Sequence, residues 1–147
     1  IYYNRRKSGR GHQGFYKDIT SDPLYPFGHG LSYTEFKYGT ITLSATKVKR
    51  GEKLSAEVTV TNTGARDGAE TVHWFISDPY CSITRPVKEL KHFEKQLIKA
   101  GETKTFRFDI DLERDFGFVN EDGKRFLEAG EYHILVQGQT VKIELID

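Results

Sequence analysis

From about residue 40 onward, apolar and polar residues alternate along the chain with a period of two. The segments 54–62 (LSAEVTVTN) and 105–112 (TFRFDIDL) follow this alternation throughout. Such a pattern is typical of antiparallel strands with one buried face and one solvated face. The positions predicted to face the core are Ile41, Leu43, Ala45, Leu54, Ala56, Val58, Val60, Val72, Trp74, Ile76, Phe106, Phe108, Ile110, Leu112, Tyr132, Ile134, Val136, Val141, Ile143 and Leu145.

Turn-forming segments separate these runs. NTGARDGAE (62–70), KAGETK (99–104), EAGEY (128–132) and GQT (138–140) each interrupt the alternation, and Asp122-Gly123 suits a two-residue hairpin loop. Several short strands at this spacing predict an all-β fold, a two-sheet antiparallel sandwich of the immunoglobulin or fibronectin type III kind.

The segment 85–102 (RPVKELKHFEKQLIKAGE) does not fit this pattern. Val87, Leu90, Phe93 and Leu97 lie near helical spacing, and the segment is rich in good helix formers. The residues alone favour a helix, but two short strands, PVKEL and FEKQLI, remain an alternative. Residue-level signals therefore do not decide whether this segment is a helix or two strands.

Charge is distributed unevenly along the 147 residues. Residues 1–17 carry five basic residues and no acidic one, and the rest carries 17 basic and 21 acidic residues, a sum of −4. The basic arm resembles an arginine-glycine RNA-binding segment, but such segments normally repeat and this one does not. We therefore predict no nucleic-acid partner. No apolar run reaches the roughly 18 residues of a membrane span, so none is predicted.

Metal and cofactor chemistry is not predicted. His12, His29, His73, His92 and His133 do not pair with another ligand at metal-binding spacing. Cys81 is the sole cysteine, which excludes an internal disulfide, and no motif around it marks a nucleophile.

Catalytic groups are not predicted either. Asp109 and Asp111 share a strand face, as a glycosidase carboxylate pair could, but Arg107 and Arg114 lie close in sequence and favour a solvated face. No G-x-S-x-G elbow or glycine-rich phosphate loop occurs. The residues leave open an accessory module, a ligand-binding domain and an interaction domain.

Four segments carry a resemblance to a known family. They are YYNRRKSGR (2–10), PLYPFGHGLSYTEF (23–36), VTVTNTGARDGAETVHWFISD (58–78) and RPVKELKHFEKQLIKAGETKTFRFDI (85–110). In this order they resemble the C-terminal region of glycoside hydrolase family three, the β-glucosidases and β-xylosidases, where such a linker leads into a fibronectin type III-like domain. His29 stands where tyrosine is more usual.

The resemblance implies that 85–97 is extended rather than helical. It also implies that residues 1–21 are the tail of a preceding catalytic α/β domain, residues 22–38 a linker strap, and residues 39–147 the sandwich. The family's catalytic Asp and Glu lie upstream and match no residue here, so this chain alone is expected to be inactive. The implied partners are the upstream catalytic domains of the same polypeptide, and the implied location is periplasmic or secreted.

The linker is the candidate site. Burial of each large apolar side chain contributes about 1.5–3 kcal/mol, so we predict that the linker packs on the sandwich and fixes it relative to the catalytic domains. The residues predicted for this interdomain packing are Tyr25, Phe27, Leu31, Tyr33 and Phe36.

Two alternative functions remain. A carbohydrate-binding module would offer exposed aromatics such as Phe75 and Tyr80, although we expect Phe75 to be buried in an interface. The other alternative, a cell-surface interaction domain, is supported only by the predicted fold.

Overall fold

A computed structural model describes residues 3–4 and 23–147. Most of the predicted tail, residues 1–21, therefore lies outside the described residues, and the predicted domain boundaries stay a prediction.

The prediction of an all-β fold is confirmed. The strands are β1 (Phe36–Tyr38), β2 (Thr42–Leu43), β3 (Lys47–Lys49), β4 (Leu54–Asn62), β5 (Gly68–Ser77), β6 (Glu89–Ile98), β7 (Thr103–Ile110), β8 (Phe118–Val119), β9 (Arg125–Phe126), β10 (Gly130–Val136) and β11 (Gln139–Ile146), with a short π-helix at Leu112–Phe116.

The strands form two main sheets and a small hairpin. In the four-stranded sheet, β4 pairs with β7 along one edge and with β1 and β2 along the other. The five-stranded sheet has the order β3-β11-β10-β5-β6. The small hairpin consists of β8 paired with β9. All strand pairings are antiparallel except that of β3 with β11, which is parallel. Thus β6 and β7 are edge strands of opposite sheets.

The core lies between the two main sheets. The predicted inward positions are buried, except that Leu43, Ala45 and Val141 are only partly buried. Trp74 is completely buried, and its ring lies 6.0 Å from that of Phe108 in the opposite sheet. Alternation along each strand therefore identified most of the core, because successive side chains of a strand point to opposite faces. Val48, Ile98 and Leu127 are buried core residues that it did not predict.

The extended conformation implied for 85–97 is confirmed over β6, and the helix favoured by the residues alone is wrong. β6 pairs with β5 from Gly68 opposite Ile98 to Ile76 opposite Glu89. This ladder provides backbone hydrogen bonds that compete with helical ones, and tertiary pairing overrides a weak helix propensity.

The predicted two-residue loop at Asp122-Gly123 is also wrong. Asn120 N donates to Lys124 O (2.9 Å) and Gly123 N donates to Asn120 O (3.0 Å). The loop therefore holds three residues, with Gly123 at φ 75°, the left-handed position that closes such loops. No helix of the described residues is long and apolar enough to cross a membrane.

Candidate functional site

The C-terminal end of the linker is tied to the sandwich by a buried amide. Asn62, the last residue of β4, is fully buried. Its Nδ2 donates to the carbonyl oxygens of Arg66 (2.7 Å) and Ile98 (3.0 Å). Its Oδ1 accepts from Thr34 Oγ1 (2.7 Å) and Gly64 N (3.1 Å). One side chain thus joins the linker, the β4–β5 loop and the end of β6.

Glycine makes this close approach possible. A Cβ at Gly64 would collide with the side chain of Thr34. Thr63 N also donates to Glu35 O at 2.8 Å, and Phe36 packs against the core. From Thr34 onward the linker is therefore integrated into the sandwich.

The middle of the linker rests on the outer face of the five-stranded sheet. The Phe27 ring stacks on Tyr3 (centroids 4.4 Å apart) and meets His73 and Phe75 edge-on at 5.9 and 6.3 Å. Gly28, at φ 85°, turns the chain above His73. Such aromatic pairs stabilise a contact beyond their buried area, by about 0.5–1.5 kcal/mol each.

Phe75 lies beneath this contact and is only 8% exposed. Tyr3 covers it at 5.9 Å, and the Lys88 ammonium lies 4.4 Å from its ring centroid. Phe75 is therefore buried under the linker, as expected, and its ring is not open to a sugar. Tyr80, the other proposed sugar-stacking residue, lies in the loop after β5 and is 77% exposed.

The opposite side of the linker is exposed and apolar. Tyr25, Leu31 and Tyr33 are 68%, 95% and 92% exposed, and Leu24 is 86% exposed. Of the five residues predicted for interdomain packing, Phe36 and Phe27 contact the sandwich. The other three are not packed on it, since their side chains are largely exposed. Their interdomain role stays a prediction.

A second cluster lies in the loop between β5 and β6. The Arg85 guanidinium is nearly buried, bonds Asp78 (3.1 Å), Glu89 (3.3 Å) and the Phe116 carbonyl (2.9 Å), and lies over Phe118. Burial would raise the pKa of Glu89, but Lys91 and Arg85 outweigh it and lower this pKa below the ordinary 4.5.

The same loop brings together Asp78, Cys81 and Glu128, whose ligand atoms lie within 4.8 Å of one another. Their donor set fits a metal poorly. Burial, then the nearby carboxylates, raises the pKa of Cys81 to about 11, whereas a metal-bound cysteine is a thiolate. Arg85 already pairs with Asp78, and Glu128 accepts from Ser82 N. Sequence analysis missed this cluster because Glu128 is far along the chain from Asp78 and Cys81.

The carboxylates considered for catalysis are engaged elsewhere. Asp109 is exposed and accepts from Arg107 Nε at 2.8 Å, and Arg107 also bonds Glu57 at 2.8 Å. Asp111 caps the π-helix by accepting from Arg114 N at 3.0 Å. Both line an open cleft of about 800 Å³. These contacts agree with the interpretation of a solvated strand face.

The comparisons with known proteins agree on one group of relatives. The family model described as "Fibronectin type III-like domain" matches residues 70–140. The chain is 38% identical to a periplasmic β-glucosidase of Salmonella typhimurium, covering 98% of this chain and 20% of that protein. It is 40% identical to a β-xylosidase of Formosa agariphila, covering 84% of this chain and 17% of that protein.

Solved structures give the same picture. A β-glucosidase from Erythrobacter marinus superposes with a TM-score of 0.91 at 38% identity, over 99% of this chain and 20% of that one. A β-glucosidase from Listeria innocua in complex with glucose superposes with a TM-score of 0.90 at 34% identity, over 100% and 22% respectively. The chain thus spans about a fifth of the length of the relatives that it matches.

Proposed function

We propose that this chain, which belongs to the fibronectin type III-like domains of glycoside hydrolase family three, is a non-catalytic accessory domain joined to the catalytic domains of a β-glycosidase. One observation carries the proposal. The chain aligns over 98% of its length with only 20% of a β-glucosidase, so the greater part of such an enzyme lies outside the region that this fold occupies.

The two-sided linker supports a structural role. Phe27 and Phe36 attach one side to the sandwich, while Leu31 and Tyr33 remain exposed on the other. Exposed apolar side chains grouped on one segment mark an interaction site. In the whole enzyme, these side chains pack on a catalytic domain and fix the orientation of the sandwich.

The names of the relatives define the rest of the proposal. The activity of the whole enzyme is hydrolysis of terminal β-D-glucosides or β-D-xylosides, as in the relatives named β-glucosidase and β-xylosidase. A periplasmic or secreted location follows from the relative named periplasmic.

Activity assays test the non-catalytic assignment. We expect the full-length polypeptide to hydrolyse an aryl β-glucoside or β-xyloside and the purified 147-residue chain to hydrolyse neither. Turnover by the chain alone, free of contaminating glycosidase, would overturn the assignment.

The linker role has its own test in the full-length polypeptide. Tyr33→Ser should lower the unfolding temperature, because it removes an interdomain contact. Tyr80→Ser is the matched control, since Tyr80 is an equally large exposed side chain outside the linker, and it should have little effect. Equal effects of the two substitutions would contradict the proposed role.

The alternative function, carbohydrate binding, rests on the exposed ring of Tyr80. Retention of the chain on insoluble xylan or cellulose, abolished by Tyr80→Ala, would favour it over a purely structural role.

A further inference from the structure

The outer face of β6 carries an apolar stripe. Phe93 and Leu97 point away from the core and are 63% and 56% exposed. Four residues apart on one strand, they span about 14 Å at roughly 3.4 Å per residue. Their partners on β5 are His73 and Ala69. The stripe lies at the edge of the sheet.

This stripe continues the surface that the linker occupies. His73, opposite Phe93, is the residue that Phe27 meets edge-on. Tyr3, near the N-terminus of the chain, stacks on Phe27, and its hydroxyl accepts a hydrogen bond from Leu90 N at 3.3 Å. The start of the chain therefore reaches the same face as the stripe.

Basic side chains border the stripe. Lys95 lies between Phe93 and Leu97 on the outer face of β6. Lys88 lies over Phe75 next to the linker. A partner for this face needs an apolar centre flanked by acidic groups.

We propose that this β6 stripe, defined by Phe93 and Leu97, is a second docking surface for the catalytic part of the same polypeptide, beside the linker. This inference rests on the proposed function. Tyr3 and the linker bring the preceding chain to this face, so its occupant is the nearest domain upstream.

Thiol labelling of the full-length polypeptide tests the inference. Phe93→Cys and Leu97→Cys are compared with Thr105→Cys, an exposed position on edge strand β7 of the opposite sheet. All three carry Cys81→Ser, and labelling by a maleimide is measured on the tryptic peptide that holds each thiol. We expect positions 93 and 97 to react at least about tenfold more slowly than position 105 in the folded protein, and equally fast in denaturant.

Three results would overturn the inference. One is labelling at 93 and 97 as fast as at 105. Another is protection that disappears on dilution to the monomer, because it would assign the stripe to a second copy. The third needs no substitution: in the unmodified polypeptide, Lys95 should be acetylated more slowly than the exposed Lys49 of β3, and equal rates would contradict docking even if the cysteine variants failed to fold.

A different result would refute the proposed function. If the unmodified full-length polypeptide hydrolyses no β-glycoside, the enzyme assignment is wrong whatever the labelling shows. Rapid labelling in an active enzyme would reject only the β6 stripe.

Discussion

Replacing Asn62 by alanine should be one of the most destabilising single changes outside the apolar core. The substitution removes four hydrogen bonds of 2.7–3.1 Å from a fully buried side chain. At a net contribution of about 0.5–1.5 kcal/mol per bond, the loss in unfolding free energy is about 2–6 kcal/mol. For a chain of this length, about 3 kcal/mol corresponds to a fall of roughly 6–12 °C in unfolding temperature.

Urea and thermal unfolding of the chain measure this loss. Thr34→Val removes only the bond from the linker and should cost about 1 kcal/mol. Thr63→Val is the matched control: its exposed hydroxyl bonds Glu35 O at 3.3 Å, and the cost should stay within about 0.5 kcal/mol.

The double variant identifies the coupling. Because Thr34 has lost its acceptor in Asn62→Ala, adding Thr34→Val should cost less than in the wild type. A loss below about 0.5 kcal/mol for Asn62→Ala, or full additivity of the two substitutions, would refute the account of Asn62 as the anchor of the linker.

Further predictions concern close packing, pH and the single thiol. Gly64→Ala should destabilise the chain by about 1–3 kcal/mol in urea unfolding, because the added methyl group collides with the linker. Gly30→Ala, where the added methyl group meets open space, should be nearly neutral. Similar effects of the two substitutions would contradict close packing of the linker on Gly64. Because the pKa of Glu89 is lower in the folded than in the unfolded chain, the ionised carboxylate stabilises the fold at pH values above the ordinary pKa of 4.5, and this stabilisation is lost as pH falls through the lower folded pKa. Glu89→Gln should therefore lower the unfolding temperature more at pH 7 than at pH 3. A difference that does not change with pH would exclude this linkage. With its pKa raised to about 11, Cys81 should alkylate about tenfold faster per pH unit between pH 7 and 10, and a plateau below pH 9 would show a more acidic thiol.

The candidate site was only partly predictable. The sequence indicated a contact surface in the linker, because five of its large apolar residues could not all be exposed to solvent without an energetic cost. It did not indicate that Phe27 would lie on the sheet while Leu31 and Tyr33 faced outward. The β6 stripe was hidden for a related reason, because Phe93 and Leu97 at helical spacing supported the wrong secondary structure.

The fold class was determined by the sequence itself, since alternation is a local property: consecutive residues of a strand face opposite ways whatever they pair with. The resemblance of four ordered segments to a known family corrected the one segment in which local propensity failed. The tertiary structure decided everything that depends on residues meeting across the chain. Asn62 became an anchor only where the linker, a loop and β6 converge, and Asp78, Cys81 and Glu128 met only through loop closure. Such contacts depend on long-range geometry, which neither periodicity nor composition encodes.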